Sequence, residues 1–261
     1  MCLVLIETEV FGFYDKQFGS QLSFVLVGLW WLGFAQITYA KLPNEEKKTL
    51  PKDNYFTKGI KEIKKVAKEL FAYRELKLFL ISFFLLSIGV QTIILMAGIF
   101  GKILGLETLN LIMTILLVQF VGILGAFLFS RLSNKIGNIK TLKITIAIWG
   151  LVCFIGFNLT KETPNIEMYF YVLGALIGLV MGAIQSLARS TYSKLLPKTE
   201  DTTSYFSFFD VTEKIALVVG MVTFGFLNSK LSIQSSVLSL AVFFLAAFIV
   251  LSSIKKTKNV H

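Results

Sequence analysis

Residues 78–101 read LFLISFFLLSIGVQTIILMAGIFG, twenty-four positions without a charged side chain. Wound as a helix at about 1.5 Å per residue, this stretch is about 36 Å long and exceeds the ~30 Å hydrocarbon core of a bilayer. Further uncharged stretches flank it at 17–40, 108–130, 144–160, 168–188, 215–229 and 231–254. Backbone N–H and C=O groups find no water in lipid, so only helices and closed barrels cross it. None of the seven stretches alternates polar and apolar residues as barrel strands do. The expected fold is an all-α membrane protein, a bundle of about seven transmembrane helices. The 215–229 stretch is short, and must extend back over Glu213 and Lys214 to cross.

The net charge of +10 suggests a nucleic-acid binder until the charges are placed. Of the 26 Lys and Arg, 11 fall in 41–77, four in 131–143, three in 189–210 and three in 255–261. The intervening segments hold only Lys16, Lys102, Lys161 and Lys230, while Lys214 lies within a span. Alternate connections are therefore basic, which is the positive-inside pattern of cytoplasmic loops. It predicts a multi-pass protein of the cell (inner) membrane, N-terminus outside and C-terminus cytoplasmic. Its partner is the lipid bilayer, with anionic lipid favoured at the inner surface, and not nucleic acid.

Four regions follow. Residues 1–40 are expected to form an external segment and a first transmembrane helix at about 21–40. Residues 41–77 form a basic cytoplasmic loop, 78–254 a six-helix block, and 255–261 a cytoplasmic tail. The start Met1-Cys2-Leu3-Val4-Leu5-Ile6 has no basic n-region and meets Glu7 at once, so it is not a signal peptide. An exported tail bearing Glu7, Glu9 and Asp15 is easier to understand if earlier helices are missing, through fragmentation or a shifted start. Cys2 and Cys153 are too few for a disulfide framework.

Inside the basic loop, 41–56 reads as a linker. From Thr57 to Leu76, Ile60, Ile63, Ala67, Leu70 and Phe71 recur at helical spacing, with Lys61, Lys64, Lys65 and Lys68 off the stripe. This is either an amphipathic helix on the inner membrane face or a solvated linker helix. In 168–188, Gly174, Gly178 and Gly182 stand four apart, extended by Ser186 and Ser190, a stripe that lets helices approach closely in lipid. Gly122 with Gly125, and Gly220 with Gly225, are expected to do the same.

The segment Gly182-Ala183-Ile184-Gln185-Ser186-Leu187-Ala188-Arg189-Ser190 is followed by Leu195-Leu196-Pro197, then Tyr205-Phe206-Ser207-Phe208-Phe209-Asp210, Lys214, Gly220 and Phe224-Gly225. It resembles the tenth-to-eleventh helix signature of the vacuole-effluxer-like branch of the major facilitator superfamily. That signature is a Gly-rich helix ending Gln-Ser-x-x-Arg-Ser, a Leu-x-Pro turn, and a Phe-Phe-Gly segment leading to a Lys. Ser207 stands where the family has Gly. Residues 130–140 more weakly resemble the superfamily's Gly-x-x-x-Asp-Arg-x-Gly-Arg loop, with Ser130 in place of the Gly and Asn134 in place of the Asp. The resemblance implies that 78–254 corresponds to helices seven to twelve and 21–40 to helix six. It implies secondary transport of a small solute, with amino-acid efflux proposed for vacuolar members.

Charge within a membrane costs about 2.5–3.5 kcal/mol per residue at a helix centre, so charged positions there point to function. Gln185 and Arg189 share one helix face at i, i+4, and Asp210, Glu213 and Lys214 begin the next helix at the same level. These five are inner-gate residues: Arg189 bonds Glu213 or Asp210 when the cytoplasmic side is closed, and Asp210 can pair with Lys214. The alternative is that they snorkel to the headgroups and satisfy helix ends. At mid-depth, Gln91, Thr92 and Gln119 either line a substrate cavity between repeats or bond neighbouring helices.

The lone His261, and the lack of Ser-His-Asp, HExxH or Walker-type patterns, argue against an enzyme, a His-based metal site or an ATP-driven pump. No cofactor is expected. Any coupling ion, a proton included, would use Asp210 or Glu213. A seven-helix receptor-like protein and a non-transporting remnant or scaffold are the competing readings. The last stretch lacks the Lys that a retinal sensor needs. The superfamily cavity lies between two six-helix halves, so an N-terminal half or a homodimer is the expected partner.

Overall fold

The computed structural model describes residues 16–42, 55–197 and 202–254. Residues 1–15 of the expected external segment, most of the 41–56 linker, residues 198–201 and the 255–261 tail lie outside the described residues. The chain divides into two units, residues 1–54 and 55–261. Of the first unit, a single helix, α1 (Lys16–Lys41), is described. Its Trp30 and Phe34 rings lie 4.5 Å apart, one helical turn from each other.

The second unit holds α2 (Tyr55–Ala72), α3 (Arg74–Ile103), α4 (Thr108–Ile136), α5 (Asn138–Asn158), α6 (Ile166–Leu195), α7 (Thr202–Lys230) and α8 (Ile233–Ser252). Six helices, α1, α3, α4, α5, α6 and α8, are long and apolar enough to cross a membrane. The exception among the seven expected spans is α7, whose Asp210, Glu213 and Lys214 dilute its apolar content. It nonetheless runs as one 29-residue helix back over both Glu213 and Lys214, and packs along α3 and α8.

Local signals end the helices. Leu196 is extended and precedes Pro197, whose ring excludes a helical conformation before it. Asn165 takes a left-handed conformation, φ 51, ahead of α6. Ser232 caps α8, its hydroxyl accepting from Ser235 N at 3.1 Å. The basic 131–143 segment, expected as a loop, is almost wholly helical. Gly137 alone separates α4 from α5, at φ 89 and ψ 154, a conformation that side chains disfavour.

Close helix contact runs along α4 and α6. A Cβ on Gly178 would stand 2.6 Å from Val118 O, and one on Gly182 2.9 Å from Gly122 O. Only the absence of side chains allows the two backbones to touch there. Gly220 likewise rests on Thr92 and the Ile88 carbonyl of α3. Gly225, expected to behave similarly, has nothing within 4 Å of its Cβ position.

The amphipathic helix α2 turns part of its apolar stripe toward the bundle. Of that stripe Leu70 is buried, Ile63 and Ala67 are half-buried, and Ile60 and Phe71 stay exposed, while Val66, off the stripe, is buried as well. Tyr205 at the start of α7 donates to Glu69 Oε2 at 2.6 Å, and Tyr192 of α6 donates to the Tyr205 carbonyl at 2.8 Å. Asn138 donates to Ser190 at 3.1 Å. The starts of α5 and α7, the end of α6, and α2 therefore share one end of the bundle, the basic end. The connections 104–107 and 159–165 lie at the other.

Candidate functional site

Three helices meet just inside the basic end. Phe83 of α3 stacks on Phe209 of α7 with centroids 4.0 Å apart, and Tyr192 of α6 stands 4.9 Å from Phe209. This aromatic wedge fixes the separation of α3, α6 and α7 and sets the polar side chains beyond it. Arg189, one turn before Tyr192, reaches Asp210 with Nη2 2.7 Å from Oδ1. Its guanidinium also lies 5.7 Å from the centre of the Phe209 ring, within cation–π range. On the inner side, Gln91 Nε2 of α3 donates to Glu213 Oε1 of α7.

A small cavity of about 40 Å³ joins the two pairs, lined by Ser87, Gln91, Gln185, Arg189, Phe209 and Glu213 among others. Five residues that the sequence put in two groups thus stand together: Gln91 from mid-depth, with Gln185, Arg189, Asp210 and Glu213. Of the two acids offered to Arg189, Asp210 meets it, and Glu213 turns to Gln91 instead. Lys214 is exposed and makes no ion pair among the described residues.

The other mid-depth residues lie elsewhere. Thr92 is buried against Gly220, and its hydroxyl donates to the Ile88 carbonyl at 2.7 Å. It lines neither this small cavity nor the larger one. Gln119 lines a second, larger cavity of about 370 Å³ toward the opposite end of the bundle. Gly174, Gly178 and Gly182 form the α6 face that meets α4.

The ion pair is half exposed, with side-chain exposures of 52% for Arg189 and 47% for Asp210. Pairs so exposed are worth about 0–1 kcal/mol, because water and salt screen them. The pair can break and reform at little cost. The Gln91–Glu213 bond is more enclosed, and a hydrogen bond to a charged acceptor is worth about 1.5–3 kcal/mol. One weak and one stronger polar link thus bridge α7 to two different helices. Glu69 and Tyr192, which complete the polar chain at this end, were not singled out from sequence. The signal available was an acid beside Leu70 of the apolar stripe in a helix otherwise rich in Lys. Among the described residues no group of His, Cys, Asp and Glu could hold a metal ion.

The family model described as "Vacuole effluxer Atg22 like" matches residues 1–260. An uncharacterized MFS-type transporter, YxiO, of Bacillus subtilis is 28% identical over 235 residues, covering 89% of this chain and 53% of that protein. Autophagy-related protein 22 of Kluyveromyces lactis is 27% identical over 231 residues, covering 80% and 46%. Its counterpart in Yarrowia lipolytica is 28% identical over 238 residues, covering 80% and 40%. The chain spans about half the length of the curated relatives it matches. They are named as a transporter and as autophagy-related proteins. With its multi-pass helical bundle and a match along nearly its whole length, the chain belongs to the vacuole effluxer Atg22-like family.

Proposed function

We propose that this chain forms part of a secondary transporter that moves a small solute, amino acids being the class to test first, across the cell membrane by alternating access. The observation that carries this reading is the polar cluster itself. Glu213 and Gln91 are part-buried among apolar helices beside the half-exposed Arg189–Asp210 pair, and charge at such depth is costly and marks solute or ion pathways. In this reading the weak Arg189–Asp210 pair closes the cytoplasmic side and opens by separating α6 from α7. Glu213, held by Gln91, is the carboxylate available to a coupling proton. The basic end faces the cytoplasm, with the N-terminus outside. The relatives are about twice as long, so the six-helix bundle acts as one half of the path. The other half comes from further polypeptide or from a second copy.

The test is uptake of radiolabelled amino acids into membrane vesicles carrying the protein, with Arg189→Asp, Asp210→Arg and the double exchange. Each single variant is expected to lose transport, and the exchanged pair to recover it. Single losses that the exchange leaves in place would refute the gate. Uptake of another small solute, with no amino acid accumulated above empty vesicles, would refute the solute class.

A further inference from the structure

The larger cavity has a chemistry unlike the polar cluster. Six helices converge on it, from Ile93 and Met96 of α3 through Ile115 and Val118 of α4 to Phe170 and Leu240 of α6 and α8. No charged residue lines it. Two of its lining residues carry strong hydrogen-bonding side chains. Thr114 spends its hydroxyl on Asn110 O at 2.8 Å. Gln119, an exposed lining residue, makes no hydrogen bond among the described residues. At about 370 Å³ the space falls within the ~300–1,000 Å³ of small-molecule sites, and is over twice the ~150 Å³ of a dry cavity that accepts benzene. Met96 and Met181, with polarizable and flexible side chains, let the walls adapt to different shapes.

The geometry points to a binding site for an uncharged, largely hydrocarbon or aromatic group, held by dispersion and oriented by one hydrogen bond to Gln119. A charge desolvated here would find no counter-charge, so the cavity takes the apolar part of a ligand and leaves any charged groups outside it. The group is either part of a small solute or the acyl chain of a lipid, and these share the same contacts. The inference extends the transporter reading by giving the class of ligand that the bundle itself recognises, and its test reads binding rather than movement.

Gly98 provides the key variant. It lines the cavity at an exposed position, and a Cβ built there meets nothing within 4 Å, so a larger side chain is added without displacing backbone. The full chain in detergent micelles is tested by scintillation proximity with tritiated indole as a neutral probe and indole-3-sulfonate as a charged competitor. Saturable indole binding is expected, undisturbed by the sulfonate. Gly98→Leu should weaken it at least roughly tenfold, and Gln119→Leu by a smaller factor. Ile115→Trp enlarges a lining side chain on α4 and serves should Gly98→Leu fail to fold. Displacement of indole by added phospholipid, with loss of co-purifying lipid from Gly98→Leu, would identify an acyl chain. Indole binding insensitive to phospholipid would identify a solute. Non-saturable binding, equal competition by the sulfonate, or full binding by both filled variants would overturn the proposal. Protein that transports yet binds no indole overturns this inference alone, and protein that binds indole yet transports nothing overturns the transporter reading alone.

Discussion

Two glycine-to-alanine changes, chemically identical, should move stability in opposite directions. At Gly178 the added methyl would lie 2.6 Å from Val118 O, 3.0 Å from Val118 Cα and 3.2 Å from Val118 C. All three are backbone atoms and cannot rotate aside, so α4 and α6 must separate by roughly half an ångström or more, which forfeits a quarter or more of each dispersion contact along the seam. Overpacking costs about 1–3 kcal/mol, here at the upper end, against about 1 kcal/mol gained in helix propensity. The net loss is about 1–2 kcal/mol. At Gly98 nothing lies within 4 Å, so the propensity gain stands alone and is expected at about 0.5–1 kcal/mol. Thermal unfolding in micelles, followed by circular dichroism, should lower Tm by about 2–8 °C for Gly178→Ala and leave or raise it for Gly98→Ala. Equal shifts, or a Gly178→Ala protein as stable as the parent, would show that the two helices do not touch along this stripe.

Three further outcomes follow from other contacts. Gln91→Leu leaves the Glu213 carboxylate without its donor and should cost about 1.5–3 kcal/mol, whereas the Gln91→Leu, Glu213→Gln double variant should recover most of that loss in the same unfolding assay. Tyr205→Phe removes the bond to Glu69 while keeping the ring, so hydrogen exchange should speed up across α2 and stay unchanged in α5. Single cysteines replacing Lys65 and Lys161 should react with a membrane-impermeant maleimide from opposite faces of the membrane. Labelling of both from one face would contradict the orientation read from the basic loops.

Several elements were legible in the one-dimensional pattern. The uncharged stretch 78–101 lies wholly within α3, and 108–130, 168–188 and 231–254 sit within or nearly coincide with α4, α6 and α8. The short 215–229 stretch did extend back over its charges. The family was legible from Gln185–Ser190, Pro197 and Tyr205–Asp210. The loop expected at 131–143 was misjudged because charged residues that end an apolar run need not end a helix. There, Gly137 supplies the sole break.

Chain length, charge and apolar run length are local properties, so the sequence alone determined that this polypeptide is a helical membrane protein with its basic connections on alternate turns. The partners of the polar groups were settled by the rotation and depth of each helix about its axis, which depend on packing against others. Arg189 meets Asp210 and not Glu213 because the Phe83–Phe209 stack and the Gly220–Thr92 contact set how α7 is turned against α3. The same rotation brings Gln91 to Glu213. It leaves Thr92 in the seam and Gln119 at the edge of the apolar cavity. Hydropathy along a single chain carries no trace of those angles, whereas interlocking side chains and bare glycine faces impose them.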